Sequence, residues 1–185
     1  MKLSDAPRYE DVVLAVKRAY VDWRSGRFEL RDLALVSFLA FTGCRLEEAL
    51  GAARGDLDFV GRVVRLRRGV RGRVAERLVQ VPARLFWDVM SLYAGSLDGD
   101  RLFPFHPRYA RAVVYRWSER YLGRRVRPHA LRHSYALYLL EKTGSLELVK
   151  RLLGHAGYRW VKSYKQLAPV KPENPLAEAF KELGV

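Results

Sequence analysis

Apolar residues recur at helical spacing through most of the chain and at strand spacing in one stretch only. Between Glu10 and Trp23, the side chains of Val12, Val13, Val16, Ala19 and Tyr20 share one side of a helix, which Ser25-Gly26 ends. Leu30 to Phe41 is apolar almost throughout, the pattern of a buried helix, and Thr42-Gly43 closes it. Leu46 to Arg54 predicts another helix, stopped at Gly55-Asp56. The period then changes to two. Val63 to Arg67 and Arg77 to Val81 predict strands, with Gly61 turning the chain before the first. The segment from Arg68 to Glu76 is long, glycine-bearing and basic, so the pair predicts an antiparallel sheet with an exposed, positively charged hairpin. Helical spacing resumes over Ala83 to Tyr93 and Pro107 to Leu122. Pro128 sits where a first-turn proline belongs and opens a helix through Leu140, ended by Thr143-Gly144. Ser145 can cap a further helix ending near Gly154, and Tyr158 to Leu167 predicts a short one. Pro169, Pro172 and Pro175 predict an extended tail. A last amphipathic helix follows, with Leu176, Ala179, Phe180 and Leu183 on one face. The expected fold class is mainly α with a small antiparallel β-sheet (α+β), without repeats or low-complexity linkers.

Composition narrows the function. A chain of 185 residues suffices for one good core. Its net charge of +14 favours a polyanionic partner, either nucleic acid or an acidic membrane face, over a basic protein with no such partner. Arginine carries most of that charge, since no lysine occurs between Lys17 and Lys142. Guanidinium forks suit bidentate phosphate contacts. Cys44 is the single cysteine, which rules out a disulfide framework and a cysteine-based metal site. No apolar run reaches bilayer length, and the N-terminus lacks a secretory h-region, so a cytoplasmic location is the default. Asn174, Gln80 and Gln166 are the only side-chain amides, a scarcity that suggests a thermophilic source.

Four clusters carry candidate chemistry. In Thr42-Gly43-Cys44-Arg45-Leu46-Glu47-Glu48, Arg45 starts a helix after a glycine turn, and Glu48 lies one turn on, able to orient the guanidinium. Alone, this could be a surface ion pair. In His129-Ala130-Leu131-Arg132-His133, His129 and Arg132 project to one side and can grip one phosphate, whereas His133 is expected to point elsewhere in a structural role. His155 follows Leu152-Leu153-Gly154 and could simply cap a helix. Tyr164 lies nine residues further on and could simply pack. Taken together these clusters are harder to dismiss, because three of the four histidines fall close to two arginines that a phosphate would need. Metal binding fits poorly, because no Asp or Glu accompanies the histidines at ligand spacing.

The residues "RDLALVSFLAFTGCRLEEAL", "HALRHSYALYLL" and "LLGH" followed by a tyrosine resemble, in order, the boxes of the tyrosine recombinase (phage integrase and Xer) family. The resemblance runs from about Ala6 to Gln166. It implies that fold and a cofactor-free, metal-independent enzyme. Arg45 and Arg132 would bind the phosphate, with Glu48 supporting Arg45. His129 would serve as general acid/base, His155 would assist, and Tyr164 would be the nucleophile. The family usually carries a hairpin lysine thought to protonate the leaving 5′ oxygen, but here the corresponding Lys-Gly reads Arg68-Gly69. An arginine stabilises charge but is a poor proton donor. Arg65, Arg67, Arg71 and Arg73 of the hairpin, with Arg124, Arg125 and Arg127, are expected to track DNA phosphates.

The implied partner is double-stranded DNA, held by a tetramer on two duplexes. Residues 1–168 would be the catalytic domain. Residues 169–185 would be a tail whose helix either docks on a neighbour or folds back on its own domain. The N-terminal DNA-clamping domain that family members usually carry is not expected within these residues, which would be either a fragment of a longer recombinase or a minimal version needing other help. Two alternatives remain open: type IB topoisomerase-like relaxation, and a catalytically weak DNA-binding relative lacking the hairpin lysine.

Overall fold

The computed structural model describes residues 6–70, 73–154, 175–181 and 183–185. Helix α1 spans Tyr9–Arg24, α2 Leu30–Thr42 and α3 Leu46–Leu50. A 3₁₀ turn at Arg54–Asp56 leads into β1 (Leu57–Asp58), β2 (Val63–Val70) and β3 (Arg73–Gln80). The chain continues through α4 (Arg84–Gly95), α5 (Pro107–Leu122), α6 (Pro128–Thr143), α7 (Leu146–Leu153) and α8 (Pro175–Lys181). No helix among the described residues is long and apolar enough to cross a membrane.

Helix α2 is the centre of the core, because every residue from Asp32 to Thr42 is buried. That burial explains its lack of a polar face. Helices α1, α4, α5 and α6 pack around it. Phe38 and Phe41 of α2 meet Phe86 of α4, while Trp117 and Tyr135 are the largest fully buried side chains. Glycine ends three of the long helices in the left-handed conformation: Gly43 after α2, Gly123 after α5 and Gly144 after α6. At Gly43 the requirement is twofold. Its φ is +59°, and a Cβ there would lie 2.4 Å from Tyr135 Cδ1.

The three strands form one antiparallel sheet in the order β1-β2-β3, with pairs running from Val63↔Gln80 to Val70↔Arg73. Val64, Leu66 and Val79 face the core. The strand pairing therefore reaches well into the stretch expected to be a long loop, and Arg68 pairs with Ala75. The helix expected over Leu46 to Arg54 stops at Leu50. Gly51 caps it, and the Asp56 carboxylate turns back to accept from the Ala53 amide at 3.0 Å, starting the 3₁₀ turn. Strand β1 is too short to show alternation in sequence. Asp58 accepts from the Val60 and Gly61 amides and makes the turn into β2.

Helix α8 lies on its own chain, against α6. Leu176, Ala179 and Phe180 are buried, and the Phe180 ring meets Tyr9, Phe41 and Tyr135. The Tyr138 hydroxyl donates to the Ala179 carbonyl, and Lys17 Nζ to the Leu183 carbonyl at 2.7 Å. Of the two placements expected for this helix, it takes the fold-back one. The helix expected over Tyr158 to Leu167 and the extended tail from Pro169 lie outside the described residues, except that Pro175, expected in the tail, opens α8 as its first residue.

Candidate active site

Gly43 turns the chain out of α2, and two residues later Arg45 becomes the N-cap of α3. The Arg45 amide donates to Glu48 Oε2 at 2.7 Å, and its guanidinium lies 3.5 Å from Glu48 Oε1. This is the pairing expected from the spacing, but the carboxylate is far from a surface group, since Glu48 is only 3% exposed. Arg132 reaches the same carboxylate from α6, with Nη1 3.9 Å from Oε2. Arg132 also donates to the Gly43 carbonyl at 2.8 Å and the Leu153 carbonyl at 2.6 Å. The two arginines therefore converge, as phosphate chemistry requires. Arg45 stands nearer solvent, and Arg132 lies behind it, 4% exposed.

A third arginine, Arg77 of β3, reaches the same carboxylate, and helical spacing in the sequence gives no sign of it. It donates through Nη1 and Nη2 to Glu48 Oε1 and Oε2 at 2.6 and 2.8 Å, the tightest pairing the carboxylate makes. Alternation could have pointed to it. In Arg77-Leu78-Val79-Gln80-Val81, Arg77 shares the parity of the buried Val79 and Val81, and an inward arginine demands a partner. Burial alone would raise the Glu48 pKa. The Arg77 hydrogen bonds, the Arg45 amide and the charges of Arg77 and Arg132 outweigh it and hold the carboxyl below its ordinary value.

His129 and Arg45 line one cleft of about 280 Å³, with Arg111 and Tyr115 of α5 and with Arg127, the N-cap of α6. Arg111 was not singled out in the sequence, where helix spacing alone gave it no distinction. Partial burial, then the charges of Arg132 and Arg45, keep the His129 pKa below the usual histidine value. His133 does not point elsewhere. Its ring lies edge-on to that of His129, 4.5 Å between centroids, because the two are one turn apart on α6. Burial first, then His129 and Arg132, push the His133 pKa down to about 4.

The remaining basic candidates divide. Arg65 is exposed on the outer face of β2, and Arg68 is half-buried on the inward-facing side. Arg67 is bound by two carboxylates, Asp56 at 2.7 Å and Glu76 at 2.8 Å, which leaves it less to offer a phosphate. Arg73 pairs at the hairpin end, and Arg71 lies outside the described residues. Arg125 stacks over the Tyr115 ring at 4.0 Å beside the cleft, and Arg124 and Arg127 are exposed. His155 and Tyr164 lie outside the described residues; α7 ends at Leu153, and Gly154 precedes His155 in the chain. Among the described residues no three or more His, Cys, Asp or Glu side chains gather as a metal site.

The sequence profile of the phage integrase family matches residues 15–170. The chain belongs to that family. Among its relatives, a tyrosine recombinase XerC of Actinobacillus pleuropneumoniae is 32% identical over 153 residues, which is 75% of this chain and 48% of that protein. A XerC of a Methylobacterium strain is 33% identical over 87% of this chain and 55% of its own length. The chain thus spans about half the length of the curated relatives it matches. The crystal structure of XerA recombinase superimposes with a TM-score of 0.68 at 22% identity, covering 96% of this chain and 65% of that one. XerH site-specific recombinase bound to its difH substrate, a pre-cleavage complex, gives a TM-score of 0.67 at 20% identity, covering 88% of this chain and 50% of that one. The α-rich fold with its three-stranded antiparallel sheet is the tyrosine recombinase catalytic-domain fold.

Proposed function

We propose that this chain is the catalytic domain of a cytoplasmic site-specific DNA recombinase that cuts and rejoins strands through Tyr164. The observation that carries this reading is the meeting of Arg45 and Arg132, far apart in sequence, on Glu48 at the edge of a basic cleft that also holds His129. The relatives are named tyrosine recombinases, and the XerH structure holds its DNA substrate.

In this reading the scissile phosphate lies over Arg45, with Arg132 beneath, and both offset the charge that builds on its non-bridging oxygens. The Tyr164 oxygen attacks phosphorus while the bond to the 5′ oxygen breaks. The tyrosine proton passes to a histidine, and the leaving 5′ oxygen gains one. His129, neutral near pH 7 with its depressed pKa, and His155 are the candidates for the first transfer. A 5′ hydroxyl from another strand reverses the step, so no ATP is needed. Arg65, Arg71, Arg73, Arg111, Arg124 and Arg127 would hold flanking phosphates. These contacts position the duplex without reading sequence. Assembly as a tetramer on two duplexes belongs to the same proposal.

The test is to incubate the protein with nicked duplexes of randomised sequence, denature, and recover protein-linked DNA. Wild-type protein is expected to form the adduct, and Tyr164→Phe none. An adduct that survives in Tyr164→Phe would refute Tyr164 as nucleophile. No adduct with wild-type would favour the second reading, a DNA-binding relative without cleavage, which Arg68 at the usual lysine position supports.

A further inference from the structure

We propose that Arg77 is a positioning residue for strand cleavage, one guanidinium that fixes both the Glu48 carboxylate beside Arg45 and the C-terminal end of α7. This rests on the recombinase reading above. Arg77 donates twice to Glu48, and through Nε to the Leu152 carbonyl at 2.9 Å. Leu152 belongs to the last turn of α7, whose carbonyls have no partner further along the helix. The same guanidinium therefore satisfies a helix end and a buried acid. Gly154 closes over it. Its φ is +66°, which favours glycine, and a Cβ there would lie 3.1 Å from Arg77 Nη1 and 3.2 Å from Cδ, a tight fit that the guanidinium would have to yield to.

The consequence is mechanical. Glu48 sets Arg45 directly, through its amide and its guanidinium, and approaches Arg132. Arg132 in turn is bonded to the Leu153 carbonyl at 2.6 Å, the residue after the one Arg77 holds. Arg77 and Arg132 thus hold successive carbonyls at the C-terminal end of α7 while both face one carboxylate. In this arrangement the arginines around Glu48 and the C-terminal end of α7 share a single register. A lysine at position 77 keeps the charge, but a point ammonium cannot span two carboxylate oxygens and a carbonyl at once.

The experiment compares wild-type, Arg77→Lys, Glu48→Gln and the double variant of the full chain. Folding is checked by circular dichroism, and the substrate is a nicked duplex recovered from the randomised pool. Arg77→Lys is expected to slow single-turnover cleavage by roughly a hundredfold, the cost of a small misplacement of reacting groups. Affinity for the same duplex should change by less than about threefold, since Arg77 is turned to Glu48 and Leu152 and does not line the cleft. Adding Arg77→Lys to Glu48→Gln should cost little more, because the pair acts as a unit. Amide hydrogen exchange of free protein, read on peptides covering 146–154, should speed up in Arg77→Lys while α2 peptides stay unchanged. Cleavage within about threefold of wild-type, or cleavage lost only in step with binding, would overturn the positioning role. So would unchanged exchange in α7. If wild-type protein forms no adduct with any duplex, the recombinase reading is what fails, and exchange alone then decides whether Arg77 anchors α7.

Discussion

Replacing Glu48 with alanine should be among the most destabilising single changes in this chain. Its carboxylate is buried, accepts two bonds from Arg77 and one from the Arg45 amide, and lies within 4 Å of the Arg45 and Arg132 guanidiniums. Removing one partner of a buried, hydrogen-bonded ion pair costs about 3–5 kcal/mol, mostly because the opposite charge stays behind without its counterion. The lost acceptor at the first turn of α3 adds about 1 kcal/mol. For a domain of this size about 1 kcal/mol moves Tm by roughly 2–4 °C, so Glu48→Ala should melt on the order of 10–20 °C below wild-type at pH 7.5. Glu48→Gln keeps the shape and one acceptor, and should fall between the two. Arg84→Ala is the control. Its partner Asp88 is 3.8 Å away on an exposed helix face, and losing such a pair should cost less than about 0.5 kcal/mol.

Acid adds a second constraint. The folded protein holds the Glu48 carboxyl below its ordinary pKa, so the native state binds that proton less readily than the unfolded chain does. Its contribution is therefore complete above the usual carboxylate pKa and fades as pH falls through the lower folded value. The gap between wild-type and Glu48→Gln should stay constant from pH 8 down to about 5 and close below about 4. Glu48→Ala melting within about 1 kcal/mol of wild-type at pH 7.5, or a gap that widens in acid, would refute the reasoning.

Gly43→Ala should cost more than about 2 kcal/mol in urea unfolding, because a Cβ at φ +59° strains the backbone and strikes the Tyr135 ring. Its effect on the site follows, since the Gly43 carbonyl also holds Arg132. His133 is held neutral in the fold, with its pKa near 4, so wild-type should lose stability relative to His133→Asn as pH falls from about 6.5 toward 4, and a flat difference over that window would contradict the assignment. Phe180→Ala, at a side chain 1% exposed, should lower stability by about 3–5 kcal/mol if α8 covers its own core in solution, and by far less if it does not.

Sequence pattern located most elements because their ends are chemically marked. Pro107 and Pro128 open α5 and α6, and Gly43, Gly123 and Gly144 close α2, α5 and α6 in a conformation that other residues resist. The boundary that failed, Leu46 to Arg54, has its stop inside an alanine-rich run, and the stop is set by Asp56 folding back on Ala53. The hairpin was expected to loop from Arg68 because glycine and arginine hide the alternation that pairing restores. In the site, spacing sufficed for Arg45 with Glu48, which are one turn apart. It could not reveal Arg77, whose bond to Glu48 joins a strand to a helix, nor the burial of Arg132 against the Gly43 and Leu153 carbonyls. Helix spacing placed His133 away from His129, but residues four apart lie on nearly the same face, and the rings touch.

The arrangement of charge explains how such a site can fold before any phosphate arrives. Three guanidiniums crowd one carboxylate, so Glu48 cannot neutralise them all. The backbone contributes as well: the carbonyls of Gly43 and Leu153 face Arg132, and that of Leu152 faces Arg77. Carbonyl dipoles offset a buried cation without cancelling its charge. Among the described residues the Arg45 guanidinium has the longer 3.5 Å contact to Glu48, and it lines the cleft. On the proposed function, an incoming phosphodiester would meet Arg45 first and feel Arg132 behind it, two guanidiniums already held in place by Glu48 and backbone carbonyls. That is the condition under which fixed charges stabilise a developing one most effectively, because reorganisation has already been completed in folding. Glu48 then has a thermodynamic role distinct from catalysis, which is to make a cationic pocket compatible with a stable core.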